Sequence, residues 1–338
     1  MWGIKIVIAI MPESRYAFQF SFFKERKTKI NTILLASTGV ILLFSTIIEK
    51  KFYKREYFGV FKEINQAAID LEKKYGKENI TIVLNTSAKQ IFDFYFKQMN
   101  ENVSFDYYAG DAPDFPAKML NKIDSCPTSY FLYGWSNFLS PYEIPEMIKE
   151  KYPCIIYDEK HFNSQLTMFG KSDSCKRDTV FYSQVGFEKS SPLFLFDASK
   201  TDTSHFHSEK HSLLIESVNE YCITLKTSVA TIFRENNVAA ISAWIFSADS
   251  FNAQVVMEVG DPKGKHEWQT RLLKSFVSKK GVWQRAFAAF ELPASSYPED
   301  EVIIYLWNPG KNSFYLDDFT VSSFADSKYN YYDKGYRK

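Results

Sequence analysis

Nineteen consecutive residues, from Ile30 to Ile48, carry no charged side chain. As an α-helix this segment is about 28 Å long, close to the roughly 30 Å hydrocarbon layer of a bilayer. The charged flanks, KERKTK before it and EKKFYKRE after it, are typical of a membrane span and not of a buried core helix. A cleaved signal peptide fits less well, because the apolar run is long and lacks a small-residue cleavage site. The sequence therefore predicts one transmembrane helix over residues 30–48.

The direction of this helix is not decided by its flanks, because each contains four basic residues. Long downstream domains translocate largely regardless of flanking charge. We therefore expect a cytoplasmic N-terminus and an extracytoplasmic soluble region, with the lipid bilayer as a partner. Residues 1–29 form a membrane-proximal segment, and its apolar run over residues 2–11 is too short to cross a bilayer alone.

Composition limits the classes of function. The net charge is +1, so no basic field concentrates nucleic acid, and we predict no nucleic-acid partner. The four cysteines, Cys126, Cys154, Cys175 and Cys222, contain no CxxC pair, which argues against a zinc ribbon. In an extracytoplasmic protein a disulfide between Cys126 and Cys154 and buried free thiols are both open alternatives.

Residues 49–175 alternate between helical and strand patterns. The apolar spacing predicts helices over residues 58–75, 87–100, 115–123 and 141–151, and strands over residues 80–84, 103–108, 128–133 and 154–157. Such alternation favours a small α/β domain with a largely parallel sheet. Gly134 and Trp135 fall where a parallel strand is predicted to end, the usual position of a ligand crevice, although packing is the commoner role of such a tryptophan.

The familiar catalytic motifs are missing from the chain. It contains no GxGxxG, GxxxxGK[ST], HExxH or GxSxG sequence. We therefore expect that the chain is not an enzyme by itself.

Residues 178–325 change to short strands separated by polar turns, the pattern of a β-sandwich. Eight strands are predicted, over residues 213–217, 221–226, 239–247, 253–259, 268–276, 282–292, 302–308 and 314–321. Eight is the number expected for a jelly roll. Residues 326–338 are charged and tyrosine-rich and are predicted to be a flexible tail. The expected fold is α+β multidomain: one transmembrane helix, a small α/β domain and an all-β, jelly-roll-like sandwich.

Two segments carry a resemblance to membrane glycosyltransferases. Residues 12–20, PESRYAFQF, resemble the "(E)SRY" step between late membrane helices of GT-C enzymes such as those of family 39, and residues 130–153 resemble the soluble tail after the last membrane helix in Bacteroidetes-type relatives. This resemblance implies the C-terminal part of such a protein, at a bacterial inner membrane, crossing it once and lacking the catalytic membrane bundle.

Three stretches resemble jelly-roll carbohydrate-binding modules: residues 240–247, 281–293 and 302–321. Candidate sugar-stacking residues are Trp244, Trp268, Tyr305 and Trp307, each of which could instead pack in the core. Along the strand at residues 302–308, alternate residues face opposite sides, and the sequence leaves open which side is buried. The resemblance also implies a structural calcium at Asp317 and Asp318, whose alternative role is to protect a strand edge; we expect no other cofactor.

The predicted function is glycan binding by a membrane-anchored protein. The alternative is a structural or protein-interaction module of the bacterial cell envelope.

Overall fold

The computed structural model describes residues 55–325, with gaps at residues 87, 100, 102, 111, 137–139, 142, 162–163, 172–174, 176, 190, 235–237, 262, 265 and 294–295. The predicted membrane helix over residues 30–48, the segment before it, the motif at residues 12–20 and the tail after residue 325 lie outside the described residues. Within the described part of the chain, no helix is both long enough and apolar enough to span a bilayer. The membrane anchor therefore stays a prediction.

The first part of the described chain alternates helices and strands, as the apolar spacing predicts. Its helices are α1 (Arg55–Tyr75), α2 (Lys89–Gln98), α3 (Phe115–Ser125) and α4 (Glu143–Lys151). Its strands are β1 (Ile80–Thr86), β2 (Asp106–Tyr108), β3 (Tyr130–Ser136), β4 (Cys154–His161) and β5 (Ser164–Gly170). Each predicted helix and strand of this part is observed, and β5 is an additional strand that the sequence did not indicate.

The α/β sheet has the strand order β2-β1-β3-β5-β4. Strand β1 is parallel to β2 and β3, whereas β5 is antiparallel to both β3 and β4. The prediction of a largely parallel sheet is therefore wrong for one side of the sheet. The reason is β5, which follows β4 by a short reversal and returns between β4 and β3, where all of its residues are buried.

Helices cover the two faces of this sheet. Helices α1 and α2 bury residues such as Ile64, Ala68 and Phe92 against one face. Helices α3 and α4 bury residues such as Met119 and Ile148 against the other face. Helices α1, α2 and α3 are amphipathic, so a single apolar stripe is sufficient to fix which side each turns to the sheet. Helix α4 instead buries every residue from Glu143 to Lys149.

The cysteines pair differently from the predicted alternative. Cys154, the first residue of β4, forms a disulfide with Cys175, which precedes the sandwich. Cys126 is a buried free thiol whose Sγ contacts the hydroxyls of Thr81 and Thr128 at 2.9 and 3.0 Å. The Cys126–Cys154 alternative is therefore wrong, and Cys222 is also a buried free thiol.

The second part is a sandwich of two mainly antiparallel sheets with eleven strands among the described residues. The strands are β6 (Thr179–Val185), β7 (Phe194–Phe196), β8 (Thr201–Asp202), β9 (Ser212–Ile215), β10 (Tyr221–Ser228), β11 (Val238–Phe246), β12 (Gln254–Gly260), β13 (His266–Leu272), β14 (Trp283–Glu291), β15 (Glu301–Trp307) and β16 (Phe314–Phe324). A short helix, α5 (Val229–Ile232), follows β10. The predicted jelly-roll-like β-sandwich is confirmed, and β6, β7 and β8 add to its eight predicted strands.

One sandwich sheet has five strands in the order β13-β12-β15-β10-β7. The other has six, β14-β11-β16-β9-β8 with β6 also paired to β16. The inner faces meet in an apolar core that includes Val255, Met257, Ile241 and Leu316. The period-two alternation of the strands produces this core, because every second side chain points inward.

Helix α4 packs against β14 of the six-stranded sheet. Its acidic residues form ion pairs with arginines of the second part of the chain, namely Glu143 with Arg271, Glu146 with Arg177 and Glu150 with Arg285. Glu146 and its second partner Lys149 are both about 1% exposed, with Nζ and Oε1 2.5 Å apart. Two opposing cations hold the pKa of this buried carboxyl below its ordinary value against the effect of burial.

Candidate functional site

One face of strand β15 is buried and the other is partly exposed. Val302, Ile304 and Leu306 are fully buried in the sandwich core. Ile303, Tyr305 and Trp307 therefore lie on the outer face of the five-stranded sheet, where each is partly exposed. The sequence alternation did not show which face of β15 is buried, and packing against the second sheet now identifies it.

Strand register places the outer residues of this sheet in three rows. The first row is Trp268, Glu258, Ile303 and Lys226; the second is Thr270, Val256, Tyr305, Thr224 and Leu195; the third is Leu272, Gln254, Trp307 and Tyr221. We call this outer surface the platform. Three of the four predicted aromatic candidates lie on it.

The aromatic rings of the platform are open to solvent to different degrees. Trp268 is 60% exposed and Tyr221 is 63% exposed. The Tyr221 ring meets the Tyr305 ring edge to face, with centroids 5.6 Å apart. The Trp307 indole is oriented by its Nε1–H, which donates to Glu220 Oε1 at 3.2 Å. The rings are therefore held in place without being covered.

Polar groups lie beside these rings. Glu258 lies between Trp268 and Ile303 in the first row, and Gln254 lies next to Trp307 in the third. Burial, together with the Glu258 carboxylate and Tyr221, raises the pKa of Tyr305, so its hydroxyl stays protonated. The platform thus combines flat apolar rings with a carboxylate, an amide and hydroxyl groups, the combination that binds sugar rings and their hydroxyls.

Trp244, the fourth candidate, lies elsewhere. It is on the outer face of the six-stranded sheet, beside Phe246, Trp283 and Tyr315. Residues 203–211, here called the strap, cross this surface. The His207 ring stacks on Trp244 with centroids 3.7 Å apart and planes 13° apart. A histidine of the chain itself therefore occupies the ring face that a sugar would need.

The strap is attached through Asp317 and Asp318. Strand β16 pairs with β9 up to Leu316 and with β6 from Phe319, so these two aspartates lie where its neighbour changes. A register shift against β11 and a φ of 49° at Asp318 mark a bulge here. The aspartate positions predicted from the sequence are thus at a break in strand pairing.

The two carboxylates mainly accept hydrogen bonds. Asp317 is fully buried, and its oxygens accept the backbone N–H groups of His207, Ser208 and Asp318 at 2.8, 3.0 and 2.8 Å. Asp318 accepts from Ser208 Oγ and Gln184 Nε2, and it also pairs with His207 Nδ1. These donors take the positions where calcium would need oxygen ligands. Among the described residues no group of three or more potential metal ligands occurs, and calcium at these aspartates stays a prediction.

Several platform residues were not singled out in the sequence. Tyr221 starts β10, far along the chain from β15, and only strand register brings it opposite Trp307. Glu258 and Gln254 are separated by three consecutive apolar, buried residues of β12, so no alternation marked them as outward-facing. The missing information was the order of the strands in the sheet.

Comparisons with known proteins give only distant likenesses. No family model and no curated protein matches the chain. Among solved structures, the CBM22-1 xylan-binding domain of Paenibacillus barcinonensis Xyn10C matches at a TM-score of 0.31 and 15% identity, covering 44% of this chain and 96% of that domain. The C-terminal family 22 carbohydrate binding module of Clostridium thermocellum Xyn10B matches at 0.32 and 13%, covering 43% and 94%. Likenesses of this size carry no conclusion about ligands, which have to be inferred from the platform itself.

Proposed function

We propose that this chain binds a neutral, extended polysaccharide on the platform. The observation that carries the proposal is the composition of this surface: two exposed and two half-buried aromatic rings lie among hydrogen-bonding side chains on one sheet face. Aromatic faces pack against the C–H faces of sugar rings, while a carboxylate or amide fixes the hydroxyls. On the other sandwich sheet, the strap covers Trp244 and α4 packs against β14.

The dimensions of the platform favour an oligosaccharide over a single sugar. Trp268 and Trp307 are two strands and two rows apart. From strand spacing and rise, their Cα atoms are about 16 Å apart, with Tyr305 between them. A ligand that contacts all three rings must therefore contain several sugar units, and we expect affinity to rise with chain length.

The charges of the platform favour a neutral glycan. Glu258 lies in the middle of the first row, and the Lys226 charge at its end is paired with Glu301 at 3.3 Å. A carboxylate accepts hydrogen bonds from sugar hydroxyls but repels sulfate or uronate groups. We therefore expect neutral glycans to bind better than acidic ones.

A glycan array with the full-length chain tests the proposal, followed by calorimetry on the best neutral oligosaccharide. Trp268→Ala should weaken binding by about fivefold or more, since a stacked ring contributes on the order of 1 kcal/mol. Trp244→Ala is the matched control, because that ring is covered by His207; it should lower stability and leave affinity unchanged. Absence of any saccharide signal would instead favour a protein partner, and loss of binding in Trp244→Ala alone would contradict the proposal.

We further propose that residues 30–48 hold this binding part at a membrane, with the soluble region extracytoplasmic. The uncharged run, its charged flanks and the resemblance of residues 12–20 to membrane glycosyltransferases support this. The full-length chain should then require detergent for extraction, and deletion of residues 1–50 should release it. A full-length chain that stays in the aqueous phase would contradict the anchor.

A further inference from the structure

The α/β sheet changes its direction of winding between β1 and β3. These strands are parallel neighbours. After β1 the chain continues into α2 on one face of the sheet, and after β3 it continues into α4 on the other face. In open α/β sheets, a crevice forms outside the carboxyl ends of two such strands, and ligands bind in it.

Buried polar atoms without partners are concentrated at this edge. Asn85 of β1 lies opposite Trp135 of β3 in the strand register. Asn85 is fully buried; its Oδ1 has no hydrogen-bond partner, and its Nδ2 lies near the Tyr133 hydroxyl without a hydrogen bond of ordinary geometry. Trp135 Nε1 also has no partner in the described structure. Ser164 Oγ, opposite Ser136, is a further such atom. Buried polar groups are nearly always paired, so a concentration of unpaired ones needs a reason.

Neighbouring groups leave the Asn85 amide in place without satisfying it. The Tyr133 hydroxyl, which lies near Asn85, pairs with Ser140 Oγ at 2.8 Å. A Cβ atom built on Gly110 would lie 2.6 Å from both polar atoms of the amide. The backbone that follows β2 therefore lies directly against Asn85, and a residue larger than glycine would push the amide away.

The described buried residues at these strand ends offer only uncharged hydrogen-bonding groups. The buried residues at the ends of β1 and β3 and at the start of β5 are Asn85, Thr86, Trp135, Ser136, Ser164 and Gln165. An anion would find no cation among them. The side-by-side donor and acceptor of the Asn85 amide, together with the indole N–H of the residue paired with it across the strands, match two adjacent hydroxyls, each of which can donate and accept.

We propose that the carboxyl ends of β1 and β3 bind a small uncharged molecule with a vicinal diol, which Asn85 and Trp135 hold by hydrogen bonds. Such a diol occurs in a free monosaccharide and in the ribose of a nucleoside. The site is separate from the platform and goes beyond the function proposed above. Because both residues are buried, the ligand displaces part of their present covering when it enters.

Thermal unfolding of the full-length chain with D-xylose, D-glucose or adenosine tests this proposal. At least one of these probes should raise the unfolding midpoint, since a ligand of the native state stabilises it. A response to the sugars alone identifies a monosaccharide, and a response to adenosine alone identifies a nucleoside.

Three substitutions locate the binding. Asn85→Leu should abolish the ligand-induced rise and should itself raise the midpoint without ligand, because it removes an unpaired buried amide. Trp135→Phe keeps most of the ring but removes the N–H, and it should reduce the rise. The matched control is Asn65→Leu, since Asn65 is equally buried but its Nδ2 donates to Phe92 O at 3.0 Å. This control should lower the midpoint and keep the ligand response.

Three results from the unsubstituted chain and the leucine variants would overturn the proposal. They are no response to any probe in the unsubstituted chain, a response that survives in Asn85→Leu, and a midpoint that Asn85→Leu lowers as Asn65→Leu does. Trp268→Ala distinguishes this site from the platform. It should leave the response unchanged, and a response lost in that variant would place the bound sugar on the platform.

Discussion

Replacing Asp317 by alanine removes the acceptor that attaches the strap to β16. The backbone N–H groups of His207, Ser208 and Asp318 all donate to this carboxylate. At about 1 kcal/mol net for each hydrogen bond, the loss is about 3 kcal/mol. Burial raises the pKa of Asp317, which means that holding it ionised in the folded protein already costs free energy, and alanine recovers part of that cost.

We therefore expect Asp317→Ala to lower the free energy of unfolding by about 2 to 3 kcal/mol, which corresponds to about 5 to 10 °C in midpoint. Asp317→Asn should behave differently. A carboxyl whose pKa is raised by folding stabilises the folded state fully below its unfolded pKa and loses that contribution as pH rises through the folded value. At neutral pH an asparagine whose Oδ1 takes the place of Asp317 Oδ2 keeps the hydrogen bonds from His207 and Ser208 and loses only the one from Asp318, so Asp317→Asn should cost about 1 kcal/mol, less than Asp317→Ala.

Urea unfolding at neutral pH, followed by tryptophan fluorescence, measures both variants. Trp244 and Trp283 lie beneath the strap and report its release. Equal losses for the alanine and asparagine variants would refute the reasoning, because the negative charge and not the acceptor oxygen would then hold the strap. An alanine variant as stable as the original would refute it as well.

Further predictions concern charge and the disulfide. Hydrogen bonds from Lys210 and His211 lower the pKa of Glu188. The stabilisation of the folded state by ionised Glu188 is therefore present above about pH 4.5 and is lost as the pH falls further. In thermal melts, Glu188→Gln should be less stable than the original protein at neutral pH and equally stable in acid. Reducing the Cys154–Cys175 disulfide, whose cysteines are 21 residues apart, should cost about 3 kcal/mol, measured as unfolding with and without reductant. Glu146→Ala removes a fully buried ion-pair partner and should cost about 3 to 5 kcal/mol in urea unfolding.

Periodicity was sufficient to predict the longer elements. Helices such as α3 bury one apolar stripe, and strands such as β11 and β15 bury one face. The spacing of their apolar residues therefore predicts these elements. Strands β7 and β8 have three and two residues, too few to show a period. Strand β5 is buried on both sides although it contains polar residues such as Gln165, so no alternation distinguishes it.

The candidate site shows the limit of the same method. Trp244 and Trp268 are both outward-facing tryptophans of sandwich strands, and nothing in their local sequence separates them. One is stacked under His207, and the other is open to solvent. The difference comes from a distant loop crossing one sheet and not the other, which is a property of tertiary structure.

The ion pair between Glu143 and Arg271 joins the surroundings of the two proposed sites. Glu143 is the first residue of α4, which follows β3, and Arg271 lies on β13 three residues after Trp268, with its Nε 2.6 Å from the carboxylate. A diol that shifted the start of α4 on binding would strain this pair and, through it, the edge strand of the platform. Thermodynamic linkage would then be reciprocal: the glycan would change the affinity for the diol by the same factor as the diol changes the affinity for the glycan. Equal glycan affinities with and without the diol would show that the Glu143–Arg271 ion pair does not couple the two sites.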